Sequence, residues 1–467
     1  MIPYFPKQLG AKAIYLYLGS LAFVSFFFFR FTMSPIFILM GIAWVVGFFL
    51  LSYWFSKSWE KIPRGRFLWI VFLVAMGLRL LWVIFSFFFY TAKTGVPFEF
   101  EAADSMKYWS DASWLSTQKW PVIQKELFSS PENISDSGYP LYLILLYKLI
   151  GPNIFITRVI KTILSAGTVV LLYFLSERNI GEKGARIAAV FACLMPNLII
   201  YCGLHLKETE MLFLLVAYLE RTDYLLRSRK YNVLTIAIPV LLLLSLFMLR
   251  TVLGVAALFA FVTALVFTNT LIIGRTKRVI LIAWGLLAAT ALAGGPLLTE
   301  PEELWQERNQ HQKAKRTYQA EKGYEWAKYA TGTVMAPMIF VLPFPTMVDV
   351  DKQYNQQILS GGNYVRNFLG IFVLIAFFSA FFITKNWREL SFLGSFVIAY
   401  LGIISLSGFS NSERFLLPGL PILLIFAAYG VNLLNAKNYR FVMIWYYIVP
   451  AMAFGWAFFK LGTRGLF

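Results

Sequence analysis

Charged side chains are scarce in this sequence of 467 residues: 14% are charged and 59% are hydrophobic. A soluble domain carries roughly 25% charged residues. Cysteine and histidine are also rare, with two of each. The cysteines, Cys193 and Cys202, are in or near one apolar run, so they form neither a disulfide framework nor a metal cluster. These shortages exclude an ordinary soluble domain, a disulfide scaffold and a histidine-rich metal protein.

Long apolar runs are what the sequence has instead. Runs of about 20 residues recur from end to end, and that length crosses the hydrocarbon core of a bilayer. They are too long and too uniformly apolar for barrel strands, and open strands cannot cross lipid. The sequence therefore predicts an all-α, polytopic helical membrane protein with about thirteen transmembrane helices. The predicted spans are 12–30, 33–55, 67–90, 153–177, 185–203, 209–226, 232–249, 252–270, 279–298, 364–384, 389–408, 415–434 and 441–459. No small-residue cleavage site follows 12–30, so we expect a retained first span.

Two apolar pieces do not fit as crossings. Residues 139–150 are too short to span about 30 Å of hydrocarbon, and 333–348 contain three prolines. Both are predicted to be interfacial or re-entrant helices. Two long polar segments lie between the apolar runs, at 91–137 and 299–332.

The basic residues orient this arrangement. The net charge is +18, from 42 basic and 24 acidic residues, and nothing resembles a nucleic-acid-binding module. When both short pieces are excluded as crossings, the lysines and arginines of the short loops collect on one side. Basic short loops are typical of the cytoplasmic side, so 91–137 and 299–332 are predicted to lie outside. The expected organisation is two N-terminal helices (1–66), a core (67–298) with an outer loop (91–137), a second outer region (299–363) and C-terminal helices (364–467).

The first outer loop contains the strongest candidate for chemistry. In a helix, Asp104, Tyr108 and Asp111 fall at i, i+4 and i+7 and share one face, with Ala112 beside them. We interpret Asp104 as the working base of a membrane enzyme. The alternative is a solvated amphipathic helix whose charges face water.

Further polar side chains are predicted on the same outer side, several of them in very short loops. Charges near hydrocarbon are usually paired or functional, although an arginine can also reach the interface by snorkelling. Carboxylates there could act as a base or bind metal, and cations could hold a phosphate. A substrate with an apolar tail and a phosphate head, such as a polyprenyl-phosphate sugar, fits this combination. The candidates are Tyr139, Arg158, His205, Lys207, Glu208, Glu210, Arg250, Asn411, Glu413 and Arg414.

Several motifs in order resemble the GT-C superfamily of integral-membrane glycosyltransferases, particularly bacterial relatives of protein mannosyltransferases and of the lipid A aminoarabinose transferase. The resemblance covers roughly residues 67–434. The chain's first two predicted helices are extra relative to the compact family pattern. Relatives often have an aspartate at the position of the acid after the third family helix, where this chain has Glu208, with Glu210 two residues on. The matching features are Asp104-x3-Tyr108-x3-Ala112, Gly138-Tyr139-Pro140, Arg158, Glu208 after a proline-containing span, and the late run SERFLLPGLPILL.

The resemblance implies an inverting transfer from a polyprenyl-phosphate-linked sugar at the outer face of a bacterial inner membrane. Asp104 would be the general base, and Glu208 would position the acceptor or share a divalent metal ion, Mg²⁺ or Mn²⁺, with Asp104. The acceptor would be a glycan, a lipid or a protein. The remaining implied roles are phosphate binding by Lys207, Arg250 and Arg414, and substrate positioning by Tyr108, Tyr139, Arg158, His205 and Glu210.

Two other function classes remain open. An oligosaccharyltransferase, glycan ligase or polymerase would share the fold and polarity but use a diphosphate-linked donor. The sequence lacks the Trp-Trp-Asp run typical of oligosaccharyltransferases, which counts against that branch. A transporter or flippase would favour internal repeats and mid-membrane charges, whereas here no repeat is evident and the charges collect at one face.

Overall fold

Helices account for nearly all the regular structure in the computed structural model. It describes residues 4–128, 136–228, 232–267, 344–350, 353–406, 413–436, 438–462 and 465–466. No strand occurs in these ranges, which confirms the all-α prediction. The helices are α1 (Lys7–Phe27), α2 (Pro35–Ser58), α3 (Arg64–Thr94), α4 (Ala103–Ser116), α5 (Trp120–Phe128), α6 (Gly138–Ile150), α7 (Ile154–Leu194), α8 (Pro196–Ile200), α9 (Glu208–Arg227), α10 (Val233–Leu249), α11 (Thr251–Phe267), α12 (Tyr354–Ile358), α13 (Ser360–Phe378), α14 (Ser391–Leu406), α15 (Glu413–Leu416), α16 (Leu420–Asn432) and α17 (Tyr439–Gly462).

Seven helical stretches in the described residues are long and apolar enough to cross a membrane. Four shorter apolar helices, α6, α10, α11 and α14, accompany them. Large apolar side chains such as Phe26 and Phe88 lie exposed on the outer surface of these helices. That surface suits lipid and would be unfavourable in water, so the helices have the character of an integral membrane protein. The seven stretches are α1, α2, α3, α7, Ser360–Ile383, Glu413–Asn432 and α17.

Helix α7 lies at the centre of the bundle and packs against α2, α3, α9 and α16. The predicted spans 153–177 and 185–203 lie in its two halves, which are separate helices that meet at a kink. At Gly181 the backbone leaves the helical conformation, with φ at 78° and ψ at 167°. Only glycine adopts that conformation at little cost. The second half ends at Leu194 because Pro196 cannot donate a helix hydrogen bond, and α8 plus one 3₁₀ turn complete the predicted range.

The other predicted spans up to 270 and beyond 363 each overlap a helix, while 279–298 lies outside the described residues. Helix α6 coincides with the predicted short helix at 139–150. The described part of 333–348, residues 344–348, is not helical, so the predicted interfacial helix does not extend there. Its proline, Pro345, cannot continue a helical hydrogen-bond pattern. The segment 299–332 also lies outside the described residues.

The two N-terminal helices are part of the same bundle as the rest. Helix α1 packs against α17, and α2 packs against α7 and α13. Among the later helices, α13 packs closely against α16: a Cβ added to Gly430 would lie 1.9 Å from the carbonyl oxygen of Phe372. Small residues permit this close backbone approach between membrane helices.

Candidate functional site

Four charged residues from distant parts of the chain meet at one end of the bundle. Asp104 is in the first turn of α4, Glu208 begins α9, Arg250 separates α10 from α11, and Arg414 is in α15. Each lies at a helix start or between two helices. A charge at such a position does not interrupt an apolar helix.

Arg414 joins the two carboxylates. Its Nη1 donates to Asp104 Oδ2, and its Nε donates to Glu208 Oε1. The two acids differ in access: the Asp104 side chain is 57% exposed, whereas that of Glu208 is fully buried. A substrate can therefore reach Asp104, and Glu208 is shielded behind the guanidinium.

Arg250 approaches the same buried acid from another direction. Its Nη2 lies 3.7 Å from Glu208 Oε1, and its guanidinium carbon lies 4.5 Å from the centre of the Phe415 ring. Its Nη1 donates to the Tyr400 hydroxyl at 3.4 Å, which in turn donates to the Phe415 carbonyl at 2.9 Å. Arg250 is buried and its contacts are inside the protein, which is not the arrangement of a snorkelling side chain.

Lys207 lies beside this group but has its own partners. Its Nζ donates to Asp136 and to the Leu249 carbonyl at 2.7 Å. Burial lowers the pKa of Lys207, and the neighbouring Asp136 carboxylate opposes that shift. The structure therefore places Lys207 beside the end of the polar segment 91–137 and pairs it with a carboxylate that sequence reasoning did not single out.

An aromatic layer borders the charges. The rings of Tyr108 and Tyr139 meet edge to face with centroids 5.0 Å apart, and the centroid of the Tyr139 ring lies 6.4 Å from that of the His205 ring. His205 Nε2 lies 3.0 Å from the Tyr147 hydroxyl. Burial raises the pKa of Tyr108 to about 12 and holds the pKa of His205 well below its usual range. Both side chains are therefore neutral at neutral pH.

Arg158 and Glu210 lie in a second layer, away from Asp104. Arg158 donates to the Pro97 carbonyl at 2.6 Å, and Glu210 Oε2 lies 3.3 Å from Lys161 Nζ. Lys161 was missed by sequence reasoning. It also donates to the carbonyls of Leu204, at 3.1 Å, and Leu206, and so fixes the loop that leads into Glu208. The available signal was a lysine inside a predicted span, since such residues are rare and usually functional.

The other members of the predicted set are dispersed. Asp111 is exposed, and its carboxylate accepts a 3.3 Å hydrogen bond from the neighbouring Ser110. Glu413 accepts from Asn363, a residue that the sequence did not indicate. Asn411 lies outside the described residues. Ala112 is fully buried and packs in the core.

The predicted metal site does not fit this arrangement well. A cation already lies between Asp104 and Glu208, namely the guanidinium of Arg414. The described part of the chain contains no group of three or more His, Cys, Asp or Glu side chains that could hold a metal ion. A divalent ion between the two acids would have to displace Arg414.

No protein-family model, no curated protein and no solved structure matches this chain. Its function must be inferred from the residues of the site.

Proposed function

We propose that this protein is a membrane glycosyltransferase of the GT-C type. It would move a sugar from a polyprenyl-phosphate donor to an acceptor hydroxyl on the extracytoplasmic side of a bacterial inner membrane. The observation that carries the proposal is the Arg414 guanidinium held between a buried and an exposed carboxylate, with Arg250 beside it. Cations at the ends of apolar helices suit a lipid with an anionic head.

Donor binding would exchange one anion for another. The donor phosphate replaces Asp104 as a partner of Arg414, while Glu208, which is buried, keeps its contact. Asp104 is then free of its ion pair and open to solvent, so it can accept a proton from the acceptor hydroxyl. This exchange explains how one exposed carboxylate can be paired in the resting protein and act as a base in the complex.

The proposed chemical step is a single displacement. The acceptor oxygen forms a bond to the anomeric carbon, and its proton passes to Asp104. The bond between the anomeric carbon and the phosphate oxygen breaks, and its electron pair leaves with the phosphate. Arg414 and Arg250 stabilise the charge that grows on that phosphate. The configuration at the anomeric carbon inverts.

Glu208 has a different role in this proposal from the one its sequence suggested. Its side chain is fully buried, so it does not reach the acceptor or a metal shared with Asp104 in this arrangement. It contacts both arginines and would hold them where the phosphate binds. Lys207, paired with Asp136, would supply positive potential from the edge of the site.

The proposed fold includes crossings beyond the seven long helical stretches. The second half of α7, α9, the shorter helices α10, α11 and α14, and the segment 279–298 would complete about thirteen crossings. Helix α6 would lie at the outer interface. In this topology the site faces the periplasm, which agrees with the basic residues of the opposite loops.

The test is transfer by the purified protein in vesicles, supplied with polyprenyl-phosphate or polyprenyl-diphosphate sugars. We expect turnover with a monophosphate donor and an inverted product. Turnover with diphosphate donors alone would assign the chain to the glycan ligase and polymerase class. Movement of the donor across the vesicle membrane without product would contradict an enzyme and favour a flippase.

A further inference from the structure

A long groove runs between α1 and α17, apart from the charged site. Its volume is about 650 Å³, and its walls are almost wholly apolar, including Leu16, Phe23, Ala451 and Phe454. From Lys12 to Phe23 it follows twelve residues of α1, a length of about 16 Å at the rise of an α-helix. A groove of that shape suits a single hydrocarbon chain.

One cation lies among these apolar walls. Lys12 is exposed, and its Nζ lies 3.3 Å from the Tyr439 hydroxyl, 5.7 Å from the centre of the Tyr439 ring and 5.4 Å from that of Tyr446. In the described ranges no carboxylate forms an ion pair with Lys12. A lysine in a membrane helix with aromatic neighbours and no acid partner is suited to an anion that arrives with the lipid.

The bilayer itself supplies an occupant with matching chemistry. Both walls are helices long and apolar enough to cross a membrane, and Tyr15, which lines the groove, is 73% exposed. The start of α1 lies on the side that the basic loops predict to be cytoplasmic, where the leaflet carries anionic lipids. Basic pockets between transmembrane helices on that side bind anionic head groups.

We propose that this groove is a binding site for an anionic phospholipid. The head-group phosphate would accept from Lys12 Nζ and the Tyr439 hydroxyl, and one acyl chain would lie between α1 and α17. The site is independent of sugar transfer, so it stands or falls separately from the proposed function. A soluble phosphate ion would leave the apolar walls without a partner.

A glycine on the groove allows the chain-binding part to be blocked. A Cβ added to Gly19 meets no atom within 4 Å, so the backbone has room for a side chain there, and Gly19→Leu would fill part of the groove. Gly47 in α2 is a matched control, since its added Cβ also meets nothing within 4 Å. Both changes replace a helical glycine by the same helix-forming residue, so their effects on the helix itself are similar.

The head-group part is tested by a charge change. Lys12→Gln removes the cation, and Lys7→Gln removes an exposed cation from the start of the same helix. Lys12→Arg keeps the charge and should keep the binding.

The measurement is native mass spectrometry of the full chain from detergent containing equal phosphatidylglycerol and phosphatidylcholine. We expect retained phosphatidylglycerol in the unmodified protein, a loss of about tenfold in Lys12→Gln for one lost charge-assisted contact, and loss of the retained lipid in Gly19→Leu. The two controls should bind as the unmodified protein does. Each variant's thermal unfolding is measured alongside, so that misfolding is recognised.

Three results would overturn the proposal. The first is retention of phosphatidylglycerol by Lys12→Gln at the level of the unmodified protein. The second is an equal loss of the lipid from Gly19→Leu and Gly47→Leu. Absence of any retained lipid from the unmodified protein would mean that another segment of the chain, or a second copy, fills the groove.

Discussion

Helix α9 carries carboxylates near both of its ends, and their surroundings differ. Near the end of the helix, Asp223 is 3% exposed and accepts from Arg178 at 2.7 Å, from Arg227 at 3.0 Å and from Asn179 at 3.4 Å. At its beginning, Glu208 shares Arg414 with an acid that is more than half exposed. The described residues give Glu208 Oε2 no hydrogen-bond partner.

The difference separates two uses of buried charge. Around Asp223 both oxygens accept from donors of α7 and α9, so the network joins two helices. Around Glu208 the charges come from four distant segments, and one partner, Asp104, can be replaced. Buried pairs that are fully bonded favour structural specificity, whereas cations shared with an exposed acid can exchange partners.

The largest effect is expected at the exposed acid. Asp104→Asn keeps the size of the side chain but removes its ability to accept a proton. Loss of a general base lowers turnover by about 10²–10⁴. Asp111→Asn, two turns along the same helix, should change turnover little. The assay is sugar transfer at saturating donor, and normal turnover in Asp104→Asn would reject it as the base.

The same type of substitution near the other end of α9, at Asp223, should affect stability instead of turnover. Asp223→Asn removes a charge that three donors share inside the bundle, and we expect a loss of about 2 kcal/mol in unfolding free energy. Turnover per folded molecule should be retained. Unfolding in mixed micelles measures the loss, with Glu182→Gln, whose pair with Arg186 is half exposed, as the control. A fall in turnover without a loss of stability would contradict the structural role.

A smaller effect is expected from the lysine behind the site. Lys161→Met removes the donor that holds the Leu204 and Leu206 carbonyls, and Glu208 should shift as that loop relaxes. We expect turnover to fall about tenfold, or ~1.4 kcal/mol in the barrier, with donor affinity falling as well. Lys161→Arg retains a donor and should recover part of the activity. If Lys161→Met alters stability alone, the lysine does not position Glu208.

The smallest effect concerns pH. Burial holds the pKa of His205 far below its unfolded value of about 6.5. As pH falls below that unfolded value, the unfolded chain gains a proton that the folded chain does not, so stability decreases. Between neutral pH and pH 5.5 we expect the free energy of unfolding to fall by about 1 kcal/mol. His205→Asn should remove this part of the pH dependence, and an unchanged slope would show that His205 is protonated in the folded protein.

The sequence predicted site residues best where a charged residue interrupts an apolar run. Glu208, Arg250 and Arg414 are conspicuous because each lies between predicted spans. The structure brings both arginines to Glu208, and Arg414 also contacts Asp104. The bridge made by Arg414 could not be foreseen, because it joins residues 310 apart and depends on how the helices pack. Lys161 was hidden inside the predicted span 153–177, and Asp136 within a long polar segment.

The positions of the helices were also predictable from the sequence, but some of their features were not. The length and spacing of the apolar runs located the helices, but they could not show that the two helices of residues 154–194 meet at a kink at Gly181 with no loop between them. Nor could they fix whether short apolar helices such as α10 and α11, of 17 residues each, cross the membrane completely. Those features depend on neighbouring helices rather than on local composition.

The most direct measurement is the binding of polyprenyl phosphate to the folded protein after removal of an arginine that contacts Glu208 or Asp223, the carboxylates near the two ends of α9. Arg414→Gln takes a cation from the proposed phosphate site, and Arg178→Gln takes one from the bonded network around Asp223. The account predicts binding at least about tenfold weaker in Arg414→Gln, from the loss of a charge-assisted contact, and unchanged binding in folded Arg178→Gln. Equal affinities in Arg414→Gln and the unmodified protein would contradict it.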